Sequence, residues 1–369
     1  MISLLVNGKQ IYFGERAGAL DFFASVEHPC PSDCNPAEYY LTEVSSHTDD
    51  KFIGKCIETF QHSPYNQSMI EMIHDMNHTP TLKNNKHGEV IKLDYESSFF
   101  RQMKWLFWRA FKASARNPVQ TTDLLTKLII VGIIYGILYF QIEKTQEGVQ
   151  NMNALIMNLI NTSVRGCSLV IILTLPVDCS QVYRDYRRRL YSVHAYYITK
   201  FITDLPYFIV ITIIFLSIVY FMSNMRNYFL ICGVMILITL TGTALASVVA
   251  AVSNSVESGL LYILPTQNMF SHVSGFYINS ASIPSFIAWF QYLSMYYYGY
   301  SVMLILEWRG VFDIPCNPTG RCFENGHDVI NFYGVKYHQY GLDVTMLVVL
   351  LFGFHLLAFG IILFKTKRR

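Results

Sequence analysis

Cysteine and histidine are the residues of this chain whose chemistry depends most on spacing, and neither is spaced for a metal site. Cys30 and Cys34 form one pair among the eight cysteines, with no second pair nearby. Zinc sites need two such pairs, or a pair with suitably spaced histidines. An HExxH motif is also absent from the sequence. We therefore predict no metal site and no catalytic residue in this chain.

Arg165 is the sharpest single feature, because it lies inside a long apolar run. A charge in the middle of a membrane span is costly and marks function by default. Arg165 could bind an anionic substrate group or pair with an acid such as Glu257. It could equally extend to the membrane surface or hydrogen-bond to a neighbouring helix, and the sequence leaves these alternatives open. His272 and His355 are interpreted as packed residues rather than proton carriers.

The elements that must hold these residues are membrane helices. Of 369 residues, 52% are hydrophobic and 15% are charged, whereas soluble domains carry about a quarter charged residues. One crossing needs about 20 mostly apolar residues. The sequence predicts an all-α polytopic membrane protein with six transmembrane helices: Asp123–Phe140, Met152–Val177, Phe201–Met222, Tyr228–Val252, Gly259–Ile278 and Val344–Phe364.

A seventh apolar segment, Pro284–Trp308, is also long enough to cross. Lys and Arg favour the cytoplasmic side, and six spans place the basic clusters at 101–116, 184–189 and 365–369 together on that side. A seventh span would put the last cluster outside. The segment is also rich in Trp and Tyr, which prefer the interface. We therefore predict a re-entrant or interfacial helix pair within an outer loop, 280–343, and two cytoplasmic termini.

Six spans also place Cys316 and Cys322 on the outer side, where disulfides form. A disulfide between them is predicted. The alternative is two thiols that stay free or pair between molecules.

Before the first predicted span, Phe99–Ala115 alternates basic and aromatic residues. A basic amphipathic helix of this kind lies in the membrane surface. Pro118 ends it, because proline cannot continue a helix cleanly. The alternative is a basic flank of the first span with no mechanical role.

Short motifs follow one another along most of the chain in a specific order. They are Gly8-Lys9, Tyr12-Phe13-Gly14, Phe22-Phe23, Cys30-Pro31, Asn35-Pro36-Ala37-Glu38, Val182-Tyr183-Arg184-Asp185, Lys200 to Pro206 and Ser274-Gly275-Phe276-Tyr277. Their order and spacing resemble the G subfamily of ABC transporters, the white/scarlet/brown-type half-transporters.

The resemblance implies a domain organisation. Residues 1–45 correspond to the C-terminal tail of the nucleotide-binding domain, a small α/β remnant, and 46–98 to a cytoplasmic linker. Residues 99–118 correspond to the amphipathic connecting helix, and 122–365 to an ABC-2 type transmembrane domain.

The resemblance also implies site residues. A substrate cavity on a dimer axis would be lined by Asn161, Val164, Arg165, Leu264 and Asn268. Phe276 and Tyr277 would close it as an outer plug. The connecting helix would press on the first cytoplasmic loop, where Arg184, Asp185, Arg188 and Tyr191 would transmit motion. The basic loop is expected in any case from the charge rule, so its coupling role stays open.

No phosphate-binding GxxxxGK[ST] loop occurs in the sequence, and the Walker B and signature motifs are absent too. We expect a truncated product or fragment, ahead of a natural subunit that borrows ATPase activity.

The resemblance implies an ATP-driven exporter of lipid, sterol, pigment precursor or xenobiotic, with ATP and Mg in the intact transporter only. It implies a homo- or heterodimer with another G-type half-transporter, in contact with membrane lipid and without nucleic acid. The alternative is an ATPase-less isoform that forms non-transporting or dominant-negative dimers. The resemblance implies either the plasma membrane or an intracellular vesicle membrane.

Overall fold

A computed structural model of the chain describes residues 2–6, 8–31, 33–46, 50–78, 97–116, 119–315, 322–335 and 337–368. The chain divides into two compact units, Met1–Lys92 and Leu93–Arg369. The first contains β1 (Ile2–Val6), β2 (Lys9–Gly14), α1 (Arg16–Ser25), α2 (Pro36–Ser46), α3 (Asp50–Gln61) and α4 (Pro64–His78). The second contains α5 (Phe99–Arg116), α6 (Val119–Leu138), α7 (Gln146–Arg187), α8 (Val193–Ser223), α9 (Tyr228–Val252), α10 (Val256–His272), α11 (Met295–Trp308), α12 (Gly326–Phe332) and α13 (Tyr340–Arg368).

An antiparallel hairpin of β1 and β2 organises the first unit. Gly8 lies in the turn at φ +78°, a backbone conformation that glycine adopts without steric cost. Tyr12 and Phe23 are fully buried, and the Phe23 ring stacks on Tyr40 with centroids 4.0 Å apart. Helix α3, from the predicted linker, adds Phe60 to this aromatic core. The unit therefore includes helices on both sides of the predicted boundary at residue 45.

Four helices among the described residues are long and apolar enough to cross a membrane, namely α7, α8, α9 and α13. Helix α7 has 42 residues, and at about 1.5 Å per residue it is roughly 63 Å long, about twice the thickness of a hydrocarbon core. The first and fifth predicted spans coincide mainly with α6 and α10, whose crossing stays a prediction.

The fifth predicted span is shorter in the structure than in the sequence analysis, because α10 ends at His272. Gly275 follows at φ +92°, a backbone that glycine adopts readily and other residues rarely do. The apolar segment Pro284–Trp308 forms a short 3₁₀ helix, Ala288–Leu293, followed by the separate helix α11.

Helices α7 and α9 run parallel to each other. The Ser163 and Thr239 hydroxyls are 2.8 Å apart, and the Ser168 hydroxyl donates to the Gly242 carbonyl at 3.2 Å. Both residue numbers rise together along this contact, so the two helices end on the same side.

Helix α10 runs antiparallel to α7. Its Gln267 side-chain amide donates to the Ser168 hydroxyl at 2.7 Å, and its Ser271 hydroxyl donates to Asn161 Oδ1 at 3.0 Å. The residue numbers rise along α10 as they fall along α7, so α10 begins at the end of the bundle where α7 ends.

Helix α13 runs parallel to α9. The Thr241 hydroxyl lies 3.3 Å from the Leu347 carbonyl, and Lys365 Nζ donates to the Val252 carbonyl at 2.6 Å. The C-terminal end of α13 therefore lies beside the end of α9.

Candidate functional site

Helix α10 leaves one side uncovered, and that side continues onto α7. Leu261 is 73% exposed and Leu264 is 46% exposed, and Asn268 further along the same side is also exposed. Arg165 of α7 is half-buried next to them. We call these four residues the α7–α10 face. Exposed apolar residues alone are expected where a helix contacts lipid, but an arginine among them is costly there and marks a candidate binding or contact surface.

Arg165 and Asn268 join the two helices at this face. Arg165 Nη2 donates to Asn268 Oδ1 at 2.5 Å. The Tyr296 hydroxyl of α11 lies beside the guanidinium, and this fully buried side chain makes no hydrogen bond of ordinary geometry. His272 Nδ1 lies 2.6 Å from the Asn268 carbonyl oxygen. The structure thus brings two of the predicted cavity residues into direct contact.

Asn161 and Val164, the other predicted cavity residues of α7, are turned away from the exposed side. Asn161 is 7% exposed and accepts the Ser271 hydrogen bond. Val164 is fully buried, and its Cγ1 would lie 2.5 Å from a Cβ built at Gly242. The structure therefore places Val164 in the contact of α7 with α9, and glycine at 242 permits that close approach.

The two residues of the predicted plug have different surroundings. Phe276 is half-buried, and its ring lies 5.6 Å from that of Tyr300 and 6.3 Å from that of Tyr333. Tyr277 is 50% exposed and stacks on the His272 ring at 5.2 Å. Of the pair, Tyr277 is the one available to an external partner.

A second cluster lies where α5 meets the loop between α7 and α8. Arg109 Nη1 is 3.8 Å from Asp185 Oδ2, and the Tyr191 hydroxyl donates to the same oxygen at 2.8 Å. The Arg109 guanidinium also lies 5.4 Å from the Tyr191 ring centroid, within range of a cation–π contact. Gln102 Oε1 accepts from the Ser192 amide at 2.9 Å.

Tyr191 keeps its proton in this cluster. Burial raises the pKa of Tyr191 to about 12, while Arg109 lowers it and Asp185 raises it through their hydrogen bonds. The hydroxyl is therefore a donor to Asp185 at neutral pH. Arg184 and Arg188 are exposed, and within the described ranges neither makes an ion pair. Asp185 and Tyr191 are thus brought together, and Arg184 and Arg188 are not.

The family is decided by comparison with known proteins. Residues 101–308 match the ABC-2 type transporter family.

The chain belongs to the ABC-2 type transporter family.

Individual relatives agree with this assignment. The chain is 26% identical to Protein white of Drosophila melanogaster over 387 residues, covering 100% of this chain and 55% of that protein. It is 26% identical to the ABC transporter ATP-binding protein/permease wht-1 of Caenorhabditis elegans, with 99% and 58% covered. It is 24% identical to the Broad substrate specificity ATP-binding cassette transporter ABCG2 of Rattus norvegicus, with 84% and 51% covered.

These relatives confirm the resemblance to the G subfamily of ABC transporters. The chain is therefore a membrane subunit of an ABC transporter. It spans about half the length of the curated relatives that it matches.

Sequence reasoning missed a charged cluster in this ABC-2 domain. Lys200 Nζ lies 3.2 Å from Asp178 Oδ2 and 3.4 Å from Asp204 Oδ2, and the Tyr196 hydroxyl donates to Asp178 at 3.2 Å. The four-residue spacing of Lys200 and Asp204 on an apolar helix was the available signal, because residues four apart share a helix face.

Tyr296 was also missed as a site residue. Its segment was interpreted from the placement of the basic clusters and from its aromatic content, and nothing in the local sequence brings residue 296 to residue 165. That contact depends on how α11 packs against α7.

The predicted disulfide falls partly outside the described residues. Cys322 is disulfide-bonded, whereas Cys316 lies outside the described ranges. The pairing of these two cysteines stays a prediction.

Proposed function

We propose that this subunit is the membrane-spanning part of a G-type ABC exporter that moves lipophilic small molecules across a membrane as a homo- or heterodimer. The α7–α10 face carries the proposal. It is apolar and exposed, with the Arg165–Asn268 pair near its centre. Two such faces turned toward each other would enclose a largely apolar cavity with a few polar groups, the usual composition of a small-molecule site.

Six crossings, formed by α6 to α10 and α13, are part of this proposal. The hydrogen bonds above make α7, α9 and α13 parallel and α10 antiparallel to them. Helix α6 is antiparallel to α7, because the Tyr135 hydroxyl lies 3.1 Å from that of Thr162, while the Tyr139 hydroxyl accepts from Asn158 at 3.3 Å. Directions that alternate along the chain are what six successive crossings require.

Helix α11 supports the re-entrant interpretation. It starts at mid-depth, where Tyr296 lies beside Arg165, and Trp308 near its end donates to Asn153 Oδ1 at 2.8 Å. Its 14 residues extend about 21 Å, less than the roughly 30 Å of a hydrocarbon core. The segment thus descends beside α10 and returns to the side on which α7 begins.

The basic clusters favour cytoplasmic termini. Because α7, α9 and α13 are parallel, Arg184 to Arg189 and Lys365 to Arg368 lie at the same end of the bundle, together with α5. An excess of Lys and Arg on one side marks the cytoplasmic side. In the proposed mechanism α5 transmits movement to the α7–α8 loop through Arg109, Asp185 and Tyr191, while its exposed aromatic residues contact the membrane surface.

ATP and Mg would bind to the nucleotide-binding part of an intact transporter. The residues present here do not fit that ligand, because no glycine-rich phosphate loop occurs in the sequence.

Oxidative crosslinking tests whether the α7–α10 face meets a second subunit. Leu264→Cys should give a disulfide-linked dimer in membranes, because this side chain is 46% exposed on that face. Ile263→Cys is the matched control, since Ile263 is the neighbouring residue and only 1% exposed. Equal crosslinking of both variants, or of neither, would contradict a dimer cavity at this face.

A second candidate is a non-transporting dimer partner, because the exposed apolar side chains of the α7–α10 face can also pack against a second subunit with no substrate between them. Efflux of the uncharged amide of 1-pyrenebutyric acid distinguishes the two in cells that also express an intact G-type half-transporter. An exporter subunit should raise efflux above that of the partner alone, and a dominant-negative isoform should lower it. Unchanged efflux would count against both.

A further inference from the structure

The positive charge of Arg165 has no negative partner in the part of the chain that the structure describes. Its hydrogen-bond partner is the neutral amide oxygen of Asn268. The acid that the sequence offered as an alternative, Glu257, lies at the start of α10. Asn268 is eleven residues further along, which corresponds to about 16 Å of helix. The Arg165–Asn268 contact is therefore hydrogen-bonded but not neutralised.

A second observation at the same place, the surroundings of Tyr296, points to a ligand. The Tyr296 side chain is fully buried beside the guanidinium, yet its hydroxyl has no hydrogen-bond partner of ordinary geometry. Leaving a buried hydroxyl unpaired costs free energy, so buried polar groups normally have partners. A donor hydroxyl next to an uncompensated guanidinium is an arrangement that binds an anion.

The side chains around the Arg165–Asn268 pair indicate the chemical character of the remainder of the ligand. Exposed Leu261 and Leu264 supply apolar surface on the same side of α10. The His272 and Tyr277 rings stack at an interplanar angle of 25° and offer an aromatic surface one turn beyond Asn268. A ligand that fills this region is lipophilic and aromatic, with one small charged group.

We infer that Arg165, Asn268 and Tyr296 form a subsite for the carboxylate of an aromatic, otherwise lipophilic substrate. A carboxylate matches a guanidinium in geometry and carries one negative charge. A phosphate monoester carries about 1.5 to 2 charges at neutral pH, more than a single arginine neutralises. The inference rests on the proposed function, and names the substrate class of that site.

Binding of two matched probes tests the subsite. The purified full chain in lipid nanodiscs is titrated with 1-pyrenebutyric acid and with its uncharged amide, and pyrene fluorescence is recorded. Charge-assisted hydrogen bonds are worth about 1.5–3 kcal/mol, so the wild type should bind the acid about tenfold to hundredfold more tightly than the amide. Arg165→Gln should remove that preference, because it weakens binding of the charged acid far more than binding of the neutral amide.

Variants and controls separate the subsite from general effects of charge or folding. Tyr296→Phe removes one hydroxyl and should reduce the preference by about fivefold. Lys127→Gln removes a positive charge from an exposed position on α6 and should leave the preference intact. Retained amide binding shows that each variant is folded.

The two probes distinguish failure of the carboxylate subsite from failure of the lipophilic cavity. Equal affinity of the wild type for acid and amide would overturn the carboxylate subsite and leave a lipophilic cavity in place. A preference for the acid that survives Arg165→Gln would also overturn the subsite. Failure of both probes to bind the wild type would overturn the proposed lipophilic cavity as well.

Discussion

The two ends of the helix bundle are held together by different kinds of contact. At one end, Arg109, Asp178, Asp185, Tyr191 and Lys200 form ion pairs and hydrogen bonds between α5, α7 and α8, and we call this the charged end. The charged side chains there retain 20–50% of their exposure, so solvent screens their attraction. Exposed ion pairs contribute about 0–1 kcal/mol each.

The other end is held by rings and amides. It comprises Phe276, Tyr300, Trp308 and Tyr333, together with Gln146 at the start of α7, and we call it the aromatic end. Tyr300 is fully buried and Trp308 is 3% exposed. Gln146 closes the end through its side-chain amide, which donates to the Phe323 carbonyl at 2.9 Å and accepts from the Phe323 amide at 3.0 Å.

This difference indicates which end can move at low cost. Separating α5 from the α7–α8 loop replaces screened ion pairs by contacts with water, whereas opening the aromatic end exposes large rings and leaves buried amides unpaired. The exporter proposed above, if it is driven from one side, would need a compliant contact at the driven end and a firm closure at the other. The energetic contrast between the ends is therefore consistent with α5 as the moving part.

The largest expected effect is at the aromatic end, with Trp308→Ala. The change creates a cavity and leaves Asn153 Oδ1 without its donor, and truncation of buried Trp costs about 3–5 kcal/mol. Heating the purified protein in detergent and measuring the folded fraction by size-exclusion chromatography should show a clearly lowered apparent Tm.

Trp289→Ala is the matched control, because Trp289 is 61% exposed and its indole hydrogen-bonds only to the nearby Phe286 carbonyl. It should shift the apparent Tm much less. Similar shifts for both tryptophans would remove the distinction between the two ends.

A smaller effect is expected from Lys200→Met at the charged end. This variant leaves Asp178 and Asp204 facing each other without the cation between them. Removing one partner of a fully buried pair costs about 3–5 kcal/mol, and partial exposure reduces this to roughly 2 kcal/mol. The same heating assay measures the loss.

The double variant Lys200→Met with Asp204→Asn provides the internal control. Removing one carboxylate relieves the repulsion, so the double variant should be more stable than Lys200→Met alone. A strictly additive loss would mean that the three residues do not act as one cluster.

The sequence predicts those features of this molecule that depend on residues close together in the chain, and it misses those that depend on tertiary packing. Span limits followed from apolar runs, and α9 coincides with its predicted span Tyr228–Val252. The break of α10 at His272 was missed, because the residues that follow are still apolar while Gly275 adopts a positive φ.

The candidate site was predicted only in part for the same reason. Arg165 stood out because a charge in an apolar run is a local signal. The burial of Val164 against Gly242 depends on the rotation of α7 about its axis. The sequence positions that face the cavity were uncertain by about two residues in this helix, and a shift of that size changes which side chains are buried. The pairing of Tyr296 with Arg165 joins residues 131 positions apart, and only the tertiary packing reveals it.

The smallest effect on stability is expected from Arg109→Gln, which tests whether the charged end is a compliant contact. The Arg109–Asp185 distance is 3.8 Å and the Arg109 side chain is 50% exposed, so the loss should stay below about 1 kcal/mol. Local opening should increase, because Arg109 also covers the Tyr191 ring. Hydrogen exchange at the Ser192 amide, which is bonded to Gln102 of α5, should become faster while exchange at the aromatic end is unchanged.

Arg101→Gln removes the same charge from an exposed position of α5 and should change neither the stability nor the exchange at Ser192. If Arg109→Gln lowered the apparent Tm as much as Trp308→Ala, both ends would be rigid closures, and α5 could not act as the moving contact that the proposed exporter requires.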